Sequence, residues 1–63
     1  MKYVVKTDDF RIPMYFLDAE DGKFKLTNLA DEAKVFSTPK EAHIAALKWL
    51  DQSGIDAIVI PKP

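Results

Sequence analysis

Thr38-Pro39-Lys40-Glu41 opens a helix that Gly54 is placed to close, and this pairing of start and stop signals constrains the chain more than any other feature. Thr38 suits the N-cap, where its hydroxyl can accept from the Glu41 N–H while the Glu41 carboxylate reaches back to the Thr38 N–H. Pro39 loses nothing at the first helical position, because its missing donor would have had no partner there. Gly54 follows the last periodic residue and fits the left-handed conformation that ends many helices. Between them Ala42, Ala45, Ala46, Trp49 and Leu50 recur at the spacing of one buried helix face. The spacing therefore predicts a helix from Thr38 to about Ser53, with two mid-helix alanines letting it approach a sheet closely and Trp49 filling the far end.

The sheet is read from alternation. Lys2–Lys6 is a β-branched and aromatic run, expected as the first strand. Arg11–Leu17 alternates Ile12, Met14 and Phe16 against Pro13, Tyr15 and Leu17, a second strand in which Pro13 requires an edge or a bulge. Asp18-Ala19-Glu20-Asp21-Gly22 reads as a tight hairpin loop with positive φ angles at Asp21-Gly22. Lys23–Thr27 is a third strand, with Phe24 and Leu26 on one face. Asn28–Ala33 reads as one helical turn capped by Asn28 or Thr27, and Lys34-Val35-Phe36 as a short extended piece. Ile55–Ile60 is a final strand, placed inside the sheet because both of its faces are apolar. The expected fold is α+β, ββ(β)αβ in order. One main helix packs on one face of a three- to four-stranded, largely antiparallel sheet, and residues 1–63 form a single domain.

A chain of 63 residues lies near the lower limit for folding on its own core. It has no Cys and only His43, so disulfides, thiolate zinc sites and His-rich metal sites are excluded as staples. A dense core or self-association remains. The formal charge of −1 fits neither a strongly acidic nucleic-acid mimic nor a basic backbone binder. No run approaches a membrane span, and Met1–Val5 is too short and too soon polar for a signal core, so a cytoplasmic location is expected.

No catalytic, metal or cofactor motif stands out. His43 lies at the border of the helix stripe, with no Ser, Cys or carboxylate spaced to build a triad, so it reads as a surface histidine. Counted as a calcium loop from Asp18, the glycine arrives one place early and the position of the bidentate Glu holds Leu29. Lys2, Lys6, Lys23 and Lys25 are expected to share the outer sheet face with Tyr15. That is the recipe for stacking a nucleic-acid base, although lysines also solvate and guard a sheet. The outer face carries more apolar residues than solvation needs, in Val4, Tyr15 and Leu17. On the helix, Ile44 projects to the polar side, with Leu47 on its flank. These five residues form the expected interaction surface, provided that they are contiguous.

The stretch Ala33-Lys34-Val35-Phe36-Ser37-Thr38-Pro39-Lys40-Glu41-Ala42 resembles an Ala-Lys-x-Phe-x-Thr-x-x-Glu-Ala pattern. That pattern recurs in small uncharacterised proteins of Gram-positive bacteria and their phages. The resemblance implies a meander before the motif, a helix, a Gly and a last strand after it, and a phage or prophage accessory role. It implies no activity and no catalytic residues. The leading expectation is a non-enzymatic, self-associating or protein-binding module, a homodimer or the partner of another protein, with no cofactor and no small-molecule substrate. The alternative is a weak nucleic-acid binder using the lysine face. A small enzyme would need a polar pocket for which so short a chain has little volume.

Overall fold

The computed structural model describes residues 1–20 and 23–63. Strands β1 (Tyr3–Thr7), β2 (Met14–Glu20) and β3 (Lys23–Thr27) form a meander, followed by a 3-10 turn at Ala30–Glu32. Helix α1 (Pro39–Ser53) then crosses the sheet, and β4 (Ile58–Pro61) completes it. The strand order is β3-β2-β1-β4, with every neighbouring pair antiparallel. The α+β architecture with one main helix is as the sequence predicts.

The helix ends are built as expected. The Thr38 hydroxyl accepts from the Glu41 N–H at 3.2 Å, and Pro39 occupies the first helical position. Gly54 sits at φ 70°, with its N–H donating to the Leu50 carbonyl at 2.8 Å. The reciprocal bond, donated by the Thr38 N–H to the Glu41 carboxylate, is not formed among the described residues. Thr38→Ala is expected to cost about 1 kcal/mol in urea denaturation, the usual worth of such a cap, and to leave the native spectrum unchanged.

One layer of the core lies between α1 and the sheet. Val5, Phe16, Ala42, Ala46 and Trp49 are buried there, ringed by Tyr3, Phe24, Leu26, Phe36, Ala45 and Val59. Phe16 is central: its ring centroid lies 5.9 Å from those of Phe24 and Trp49 and 6.2 Å from that of Phe36. Leu50, expected on the buried stripe, is instead 45% exposed.

The second strand departs from expectation at both ends. It begins after Pro13, whose missing donor therefore breaks no ladder bond. It runs on through Asp18-Ala19-Glu20, which the sequence suggests are loop. The cause is a bulge. Phe16 pairs with Leu26 and Asp18 with Lys25, leaving Leu17 unpaired. The extra residue shifts the alternation, so that Phe16 and Ala19 both face the helix side and the period-two pattern breaks after Phe16. The positive φ angles expected at Asp21-Gly22 lie outside the described residues.

The last strand is an edge strand, not an internal one, and it starts at Ile58 instead of Ile55. The preceding backbone is satisfied by side chains. The Thr7 hydroxyl donates to the Asp56 carbonyl at 2.7 Å, and an Asp9 carboxylate oxygen accepts from the Asp56 N–H at 2.9 Å. With those groups occupied, no ladder is needed there. Pro61 is tolerated as the terminal residue of an edge.

The outer face of the sheet is buried only in part: Ile58 on β4 is exposed there, whereas Val4 on β1 is not. Alternation turns Val4 away from Val5, yet Val4 is fully buried, and Thr27 and Ala33 are nearly so. The chain after β3 returns to the sheet. The Thr27 hydroxyl accepts from the Leu29 N–H at 3.1 Å and donates to Glu32 at 3.0 Å, fixing the 3-10 turn. The expected helical turn thus shrinks to Ala30–Glu32, and no side chain caps it at Leu29. Beyond it, the Lys34 N–H donates to the Phe16 carbonyl at 2.9 Å, and Tyr3 and Phe36 exchange bonds of 2.9 and 2.8 Å. Residues 34–36 therefore wedge between β1 and β2, whose direct pairing is confined to Lys6 opposite Tyr15 and Thr7 opposite Met14.

Candidate interaction surface

The alanines at positions 42 and 46 seat α1 mainly over β1 and β4. The β2–β3 hairpin extends past the helix, and a groove of about 290 Å³ opens between them. Phe16, Phe24 and Phe36 form its floor, and Ile44 and Ala45 its helical wall. Its rim is mixed in charge, with Asp18 and Glu41 against Lys34 and Lys48. Among the described residues the lining holds no hydroxyl, thiol or imidazole side chain, and it presents apolar groups between charges.

The helix side facing away from the sheet continues this apolar wall. Ile44 is 47% exposed, Leu47 51% and Leu50 45%, at a spacing of three residues that stacks them along the helix. His43 is exposed on the same side. Single exposed aliphatics are ordinary on a protein surface. Three in a row, joined through Ile44 to an aromatic groove, make a continuous patch.

The five expected surface residues therefore separate. Ile44 and Leu47 are exposed together on α1, whereas Val4 is buried and offers no surface. Tyr15 and Leu17 are half-buried, Tyr15 on the outer sheet face opposite Lys6. The groove and Leu50 escaped the sequence reading. Phe24 alternating inward on a strand beyond the reach of a narrow alanine stripe was the available signal.

The lysines of the outer face are interleaved with acids. Lys6 stands opposite Tyr15 but pairs with Asp8 at 3.5 Å. Lys25 pairs with Glu20 at 2.7 Å, and Lys23 stands across the strand from that same glutamate. Lys2 lies outside β1, and its carbonyl accepts from the Lys62 N–H at 2.8 Å. The side chains form no basic track of the kind that follows a phosphate backbone.

No group of His, Cys, Asp and Glu among the described residues is arranged to hold a metal ion. No helix among them is long and apolar enough to cross a membrane. No protein-family model, curated protein or solved structure matches this chain.

Proposed function

We propose that this chain is a non-enzymatic protein-interaction module that self-associates through the outward side of α1. The observation that carries the reading is the exposed row of Ile44, Leu47 and Leu50, continuous with the groove wall. A domain this small gains stability from covering such a row, because anything that binds only the folded form shifts unfolding by mass action. The non-enzymatic part is supported by the form of the groove, which is floored by aromatic rings and carries its charges on the rim instead of converging them on one point. A phage or prophage source and a cytoplasmic site of action rest on the motif around Phe36-Ser37-Thr38 and on the sequence alone.

The melting temperature of the wild-type chain is expected to rise with protein concentration. A variant carrying both Ile44→Lys and Leu47→Lys is expected to stay folded, since exposed substitutions usually change stability by about 0.5 kcal/mol or less. Its melting temperature should no longer depend on concentration. Sedimentation equilibrium showing a wild-type monomer up to roughly millimolar concentration would sink the self-association reading.

A further inference from the structure

We infer that two copies of the chain pair through α1, antiparallel, about a two-fold axis at the level of residues 45 and 46. The inference rests on the self-association reading above and specifies its geometry. Its basis is the order of side chains along the outward helix face: Lys40, Ile44, Leu47, Asp51. At 100° per residue these four fall within a stripe about 60° wide, opposite the buried Ala42, Ala46 and Trp49. All four are exposed.

The stripe is self-complementary. Lys40 and Asp51 lie equally far from its midpoint, and so do Ile44 and Leu47. A two-fold axis through that midpoint sets each Lys40 against Asp51 of the other copy, and each Ile44 beside Leu47 of the other copy. On one flank, Glu41 and Lys48 share nearly the same angular position, and the same axis brings Glu41 to within about 3 Å of the axial level of the opposing Lys48. Parallel pairing would instead set Lys40 against Lys40 and Asp51 against Asp51, so the charges reject it. The ion pairs within the described residues are Lys6–Asp8 and Lys25–Glu20, and none involves these four helix charges. A contact along one 15-residue helix falls at the transient end of interface size, below about 1,200 Å² in total. The dimer is therefore a reversible one, as an isologous contact between small copies should be.

The test is sedimentation equilibrium on the full chain, on Lys40→Glu, on Asp51→Lys, and on an equimolar mixture of the two variants, with circular dichroism confirming that each is folded. Each single reversal breaks the end pair twice per dimer and is expected to weaken self-association roughly tenfold. In the mixture, each variant finds its complement on the other, and dimerisation should return to within about twofold of wild type. Restoration in the mixture supports antiparallel two-fold pairing. If the wild type dimerises but the single reversals have no effect, or the mixture is no stronger than its components, the geometry is overturned while self-association stands. A wild-type chain that stays monomeric overturns both.

Discussion

Replacing Trp49 with alanine is expected to leave the chain largely unfolded at 25 °C. Trp49 is the largest fully buried side chain, and it touches both Phe16 and Phe24, with ring centroids at 5.9 and 6.3 Å. Because α1 sits mainly over β1 and β4, this indole is what ties the helix to the β2–β3 hairpin. Truncating a buried aromatic to alanine costs about 3–5 kcal/mol. At about 0.05–0.15 kcal/mol per residue, a chain this short has roughly 3–9 kcal/mol of stability in all, with no disulfide in reserve. Trp49→Phe is the informative control. The Trp49 Nε1–H is buried without a partner, and such a donor is itself costly, by about 1–3 kcal/mol. Phenylalanine removes that donor while keeping a ring between Phe16 and Phe24, so its cost should be less than half that of alanine. Far-UV circular dichroism in a urea titration reads both variants. An alanine variant that unfolds cooperatively, within 1 kcal/mol of wild type, would contradict the assignment of Trp49 as the keystone of the core.

How far the sequence revealed this fold depends on how local each feature is. Thr38, Pro39 and Gly54 act on backbone groups within four residues of themselves, so the helix and its ends are readable without any knowledge of the rest. Ile44 and Leu47 are placed by the helical period alone, and they are the two expected surface residues that the structure leaves exposed together. The inward set Tyr3, Val5, Phe16, Phe24 and Leu26 is equally legible, because simple alternation holds up to Phe16 and throughout β3. What failed was non-local. One unpaired residue at Leu17 shifts the face of everything after it. β4 is apolar on both faces and yet lies at the edge, so its apolar character says nothing about how many strands flank it. The groove depends on where α1 lands across the sheet, which no single element encodes.

Val4→Asp is expected to cost on the order of 3–5 kcal/mol, the penalty of an uncompensated buried charge. On a solvated outer sheet face the same substitution would cost a few tenths, so the measurement discriminates directly between a covered and an open face. Val4 is fully buried, although alternation points it away from α1. Thr27 and Ala33, on the chain that returns to the sheet after β3, are buried as well, and residues 34–36 fill the gap between β1 and β2. Ile58 supplies the internal control. It stands opposite Lys6, two positions along β4 from Ile60, which pairs with Val4; it therefore shares the face of Val4, yet it is 52% exposed. Ile58→Asp should therefore change stability far less than Val4→Asp. Equal effects at the two positions would mean that the return of the chain after β3 does not shield the outer face. The surface available to a partner would then include the sheet. A large difference shows that the sheet is closed to a partner at Val4 and leaves the row on α1, joined at Ile44 to the groove, as the proposed surface.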